Sequence, residues 1–214
     1  MRESHLWVGA IALAALAWPI QSPAQGRIRT ARVLEVVSVI ADSGKVPAGT
    51  LRLLTEARLM GPQKDSLADS LAAIATRIGR PKAAVAMRLQ KRLVEILAFA
   101  GKGDGGLPYQ RAGTILSQVA RNTPSVAAVA LLGIAELPSR HEAVGLLGDA
   151  ATASEQSAYT AVYLLSNRLG MPGRAKLREL FEQGTVVNAL ARRELERCAD
   201  AFGWRADSGR STSN

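Results

Sequence analysis

Histidine, cysteine and paired carboxylates are the residues from which hydrolases and metal centres are most often built, and this chain offers few of them. Of two histidines, His5 lies in an N-terminal apolar segment and His141 stands beside Glu142. That "HE" lacks the second histidine of a zinc-protease helix. Any Ser-His-Asp or Cys-His arrangement outside the N-terminal segment would have to use His141, and no G-x-S-x-G elbow accompanies it. Glu194 with Glu196, and Asp65 with Asp69, fall on predicted helices without aromatic residues to hold a sugar. "GKGDGG" at 101–106 places Lys102 ahead of Asp104 in a helical context, unlike a phosphate-binding loop, which follows a strand and ends in Gly-Lys-Ser/Thr. The reading is therefore of no catalytic residue, no cofactor and no metal ion. A hydrolase working through carboxylates stands as an alternative.

The densest charge lies in "RIGRPKAAVAMRLQKRLVEI", residues 77–96, which holds six bases and one acid, Glu95. Arg77, Arg80 and Lys82 gather at a turn, while Arg88, Lys91 and Arg92 share one side of a predicted helix opposite Val85, Leu89, Leu93, Ile96 and Ala100. Lys91 and Glu95 are spaced to pair at i, i+4. A charge run on a helix is usually its solvated face. The functional alternative is a patch for an anionic partner, made of Arg77, Arg80, Lys82, Arg88, Lys91 and Arg92. Nucleic acid is not expected, because no Tyr, Phe or Trp interleaves to stack bases and no nucleic-acid-binding signature is present.

The destination of the chain bears on that choice. An apolar run from Leu6 to Ile20, preceded by Arg2 and followed by Ser22-Pro23-Ala24, has the plan of a secretory signal peptide with cleavage after Ala24. The run is short for a membrane span, which needs roughly 20 apolar residues, so a retained N-terminal anchor is the second reading. Removal of residues 1–24 takes away one base and one acid and leaves the net charge at +9. The excess is mostly arginine, with six lysines in the whole chain. The expected location is exported, periplasmic or secreted. The single cysteine, Cys198, cannot form an intramolecular disulfide, and its place in "ELERCADAF" predicts a buried thiol.

The elements that would position these residues are helices. Apolar residues recur at three and four, as in Leu67, Leu71, Ile74 and Ile78, and no segment alternates like a strand. Asp65 is placed to cap the helix through Ile78, Gly79 to end it, and Pro81 to open the next. Ser139 with Glu142 and Thr152 with Glu155 have capping-box spacing. Gly170 and Gly184 are read as helix ends, with Pro172 and Thr185 opening the helices that follow. About ten helices are expected, beginning near residues 30, 48, 65, 81, 108, 124, 139, 154, 172 and 185. The domain reading is a signal peptide at 1–24, one helical domain at 25–203 with a possible hinge at 101–107, and a disordered tail at 204–214.

Pairs of these helices occupy a little over thirty residues, a repeat-like period. "AVALLGIAEL" at 128–137 and "AVYLLSNRLG" at 161–170 share A-V-x-L-L at an offset of 33, and the same offset brings Val144 onto Leu177 and Leu147 onto Leu180. The run from Leu131 to Gly170 resembles HEAT-type repeats, as does "SLADSLAAIATRIG" at 66–79; the likeness covers residues 120–183 and continues elsewhere by spacing. It implies an all-α fold of stacked antiparallel helix pairs, a short α-α solenoid, whose open surface binds other proteins. The expected role is a non-catalytic scaffold in the cell envelope with an unidentified protein partner. Its rivals are a binder of anionic envelope surfaces, whether lipid headgroups or polymers, and an envelope hydrolase. No small-molecule substrate is evident.

Overall fold

A computed structural model of the chain describes residues 64–205 apart from 83, 103–105 and 154. The expected signal peptide, the helices near 30 and 48, and residues 206–214 of the expected tail lie outside the described residues. Those described are all-α, with eight α-helices, one 3-10 turn and no strand among them. The helices are α1 (Lys64–Ile78), α2 (Ala84–Ala100), α3 (Tyr109–Asn122), α4 (Ala127–Ala135), α5 (Arg140–Ala151), α6 (Ser157–Asn167), α7 (Gly170–Gln183) and α8 (Ala189–Phe202). The 3-10 turn, Pro124–Val126, leads into α4.

Several boundaries follow the local chemistry read from the sequence. Gly79 ends α1 with φ +63 and Gly184 ends α7 with φ +62, left-handed conformations that a Cβ disfavours. Ser139 caps α5, its Oγ accepting from the Glu142 amide at 3.3 Å. Others are corrected. Asp65 sits inside the first turn of α1 instead of capping it. Pro81 precedes α2 by three residues, because Gly79 and Arg80 already occupy the turn. Thr152 belongs to the end of α5, where its hydroxyl donates to the Asp149 carbonyl at 2.9 Å, so it does not open α6. Gly170 begins α7, since α6 has ended at Asn167. Asn188, not Thr185, caps α8, accepting from the amides of Leu190 and Ala191, each at 3.1 Å.

Each helix packs against the next and against the next but one. Connections of two to eight residues turn the chain back each time. α1, α3, α5 and α7 thus form one row and α2, α4, α6 and α8 another. Between the rows lies one core that includes Leu71, Leu93, Leu116, Leu131, Leu147 and Leu165, all essentially without solvent contact. Residues 103–105 of the expected hinge are outside the described residues, yet packing runs across the joint. Leu107 is buried, its amide donates to the Ala100 carbonyl at 3.0 Å, and α2 packs on both α3 and α4. Trp204, assigned from sequence to the tail, is buried instead. Its ring lies 5.3 Å from that of Phe202 and 6.2 Å from that of Phe181, and Arg174 stacks on Phe202 at 4.6 Å.

Neighbouring helices approach closely where side chains are small. A Cβ on Gly133 would come within 2.5 Å of the Ala98 Cβ, and one on Gly173 would strike the Leu165 carbonyl oxygen. The second obstacle is backbone and cannot swing aside. Gly173→Ala is therefore expected to cost about 1–3 kcal/mol. Gly145, exposed on α5 with nothing near its missing Cβ, is the control, and Gly145→Ala is expected to stabilise by up to about 1 kcal/mol. Chemical-denaturation midpoints of the two variants test this, and equal shifts of the same sign would contradict the close approach of α6 and α7.

Candidate functional site

The six bases of the stretch 77–96 do not form one patch. Glu95 takes two of them: its carboxylate meets Arg92 at 2.5 Å and Lys91 at 3.8 Å. Arg92 is also half-buried. The exposed Arg77, Arg80 and Lys82 stand at the α1–α2 turn, with Arg88 one turn into α2.

What fixes that turn is Gln90, which is 0% exposed. Its Nε2 donates to the carbonyls of Ala75 at 2.8 Å and Gly79 at 2.9 Å, and its Oε1 accepts from Ser125 Oγ at 2.8 Å. Ser125 Oγ also lies 3.1 Å from the Gly79 carbonyl, and the Thr123 and Thr76 hydroxyls meet at 3.4 Å. The α3–α4 turn is thereby drawn against the α1–α2 turn. Arg121, in the last turn of α3, arrives at the same end of the molecule. Sequence reading missed it because it lies outside the charged run.

The segments that build this corner bring no acid of their own. Residues 70–94 contain no Asp or Glu, and neither do residues 105–135. Of the acids that flank these stretches, Asp69 is held by Arg111 at 2.5 Å, Glu95 by Arg92 and Lys91, and Glu136 by Lys102. Among the described residues Arg80, Lys82, Arg88 and Arg121 form no ion pair.

A second surface runs across the outer side of α2, α4, α6 and α8. Phe99 is 46% exposed, Leu132 37%, Tyr159 40% and Tyr163 46%, and Leu190 is half-exposed on the same row. The opposite row carries only Met171 as an exposed large apolar side chain among the described residues. Buried positions of α4 (Ala127, Ala130, Leu131, Gly133, Ile134) match those of α6 (Ala158, Ala161, Val162, Leu164, Leu165) at a separation of 31 residues. The A-V-x-L-L match at 33 therefore does not follow the packing: Leu132 is open where Leu165 is fully enclosed. In the packing register Leu132 corresponds to Tyr163. Beside Tyr159, Arg197 holds Glu194 through two bonds of 2.6 and 2.9 Å, and that carboxylate, with lesser help from its neighbours, raises the guanidinium above its ordinary range.

The remaining candidates stay apart. His141 is exposed in the first turn of α5. Cys198 is buried, its Sγ donating to Ser166 Oγ at 3.5 Å. An open groove of about 490 Å³ between α1 and α3 has Asp69 as its one acid, beside Thr76, Arg77, Gln118 and Asn122. Another, of about 140 Å³ between α7 and α8, has Glu196 as its one acid. Among the described residues no three His, Cys, Asp or Glu side chains assemble to hold a metal ion, and no helix is long and apolar enough to cross a membrane. No protein-family model matches the chain, and no curated protein or solved structure does either.

The clamp makes a quantitative demand. Gln90→Leu would leave the Ala75 and Gly79 carbonyls and the Ser125 hydroxyl without this partner, at about 1–3 kcal/mol for each group left unsatisfied. Ser125→Ala removes one partner and is expected to cost about 1 kcal/mol. Urea unfolding of both variants checks the order, and a Gln90→Leu chain as stable as the parent would show that the amide does not hold the turns together.

Proposed function

We propose that this chain is an exported, non-catalytic helical scaffold, a short α-α solenoid of HEAT-like helix pairs, whose α2–α4–α6–α8 face binds other proteins. The observation that supports it is the distribution of exposed apolar side chains. Isolated exposed apolar residues are ordinary on any protein surface. Here Phe99, Leu132, Tyr159 and Tyr163 fall on three neighbouring helices of one row, while the other row is nearly free of them. Helices packed side by side lie roughly 8–10 Å apart, a gap that Leu and Tyr side chains can bridge. Aromatic anchors within a charged rim, such as that of Lys91, Glu95, Arg193 and Arg197, have the composition of a protein-binding surface.

The stacked arrangement favours recognition over enclosed chemistry, because each helix pair covers its neighbours and leaves a long outer face. The two grooves described each contain one carboxylate and no histidine, which lends nothing to the hydrolase alternative. Export is proposed from the N-terminal segment read in the sequence.

Two measurements test this reading. Intact mass of the protein from fractionated native cells is expected to give a chain beginning at Gln25 in the periplasmic or secreted fraction, and a full-length cytosolic chain would refute export. A photo-crosslinking residue placed at Leu132 or Tyr163 is expected to yield a discrete protein adduct in cells, lost on Tyr159→Ala, while the same residue at Thr114 on α3 yields none. Equal labelling from both rows, or none from Tyr163, would refute the face.

A further inference from the structure

We infer that the corner built from the α1–α2 turn and the end of α3 is a contact surface for the phosphates of an anionic lipid layer. This goes beyond the protein-binding face, which lies on the sides of the helices; the corner lies at their ends. Its cations are Arg77, Arg80, Lys82, Arg88 and Arg121, all exposed, and the last four make no ion pair among the described residues. They face no acid contributed by residues 70–94 or 105–135. The Gln90–Ser125 clamp holds the two turns together, so these charges are presented on a fixed frame.

Three features favour a lipid layer over other polyanions. The α2 and α4 N-termini open at this end with no acidic residue in their first turns, so nothing there repels phosphate. Met87, 50% exposed, projects from α2 next to Arg88, and Pro124 is exposed on the adjoining turn. Cations beside an exposed apolar side chain match a headgroup layer with hydrocarbon beneath it. No aromatic residue lies in 77–96 or 110–135, so the corner has nothing on which a base would stack.

The structure also says which charges are not part of it. Lys91 and Arg92 are engaged by Glu95 further along α2. The test is co-sedimentation of the full chain with vesicles of phosphatidylcholine, and of phosphatidylcholine with phosphatidylglycerol, at low and high salt. Binding is expected on the anionic vesicles, weakening steeply with salt. Each cation removed near such a surface lowers binding about fivefold, so Arg80→Gln/Lys82→Gln/Arg121→Gln is expected to lose on the order of a hundredfold. Lys91→Gln/Arg92→Gln is expected to lose far less. All five side chains lie at the surface, and unchanged helical circular dichroism and melting would confirm that each variant is folded.

Equal binding to both vesicle types would overturn the inference, and would instead assign association to the N-terminal apolar run. Equal losses in the two variants would overturn it in favour of diffuse attraction by net charge. Full competition by soluble polyphosphate at matched phosphate concentration would overturn the lipid assignment and make the corner a site for soluble polyanions. None of these results bears on the crosslinking from Tyr163, so the two surfaces stand or fall separately.

Discussion

Burial of one amide governs how the first four helices meet. The last carbonyls of a helix have no partner within it, and a carbonyl or amide enclosed without one costs several kcal/mol. α1 ends against α2, where water is excluded from the Gln90 side chain. Gln90 answers both needs at once. Its two N–H groups serve the Ala75 and Gly79 carbonyls and its oxygen takes the Ser125 hydroxyl, so the whole bonding capacity of the NH₂ group is spent on the two turns. The α1–α2 turn cannot move without exposing or orphaning these groups, and neither can the α3–α4 turn. The positions of Arg80, Lys82 and Arg121 follow from that constraint, although none of them touches Gln90.

Elsewhere the packing rests on the absence of side chains. Gly133 lets α4 lie on Ala98 of α2, and Gly173 lets α7 lie on the Leu165 carbonyl of α6. Gly113 admits Leu137 and Leu146 in the same way. Alanine and glycine at the contacts bring backbones close, and the gain comes through many short-range dispersion contacts. A core of that kind has little room for large residues. Phe99, Leu132, Tyr159 and Tyr163 stand outside it, and aromatics are scarce in the chain as a whole, at 4%. Most of the buried aromatic contact is concentrated at the α7–α8 end, where Trp204, Phe181 and Phe202 close the core.

How much of this was legible in the sequence depends on the range of the interaction. Helix identity was legible because three-and-four spacing is local, and so were the Gly79 and Gly184 stops and the Ser139 cap. Thr152 misled because a hydroxyl that bonds back to Asp149 at a helix end has the same sequence neighbours as one that begins a helix. The repeat offset of 33 misled because A-V-x-L-L matches letters, while burial is set by which face each helix turns inward. Gln90 carried a readable signal: it shares the inward face with Val94 and Leu97 at steps of four and three, a core position held by a polar residue. Arg121 carried none. It joins Arg80 through bonds between distant turns, such as that of Ser125 to Gly79, 46 residues apart.

The two proposed surfaces would use different physics, one at the helix ends and one along the helix flanks. The corner occupies helix ends at one side of the molecule, so contact there with a charged layer would leave the flanks of α2, α4, α6 and α8 clear. A long-range, salt-screened attraction would then fix where the molecule sits, and a short-range apolar contact would decide what it holds. The pairing of Glu95 with Lys91 and Arg92 separates the two regions. Its one carboxylate offsets part of the charge of Lys91 and Arg92, further along α2 than Arg88. Were Glu95 absent, the positive charge of Arg80, Lys82 and Arg88 would continue along α2 through Lys91 and Arg92.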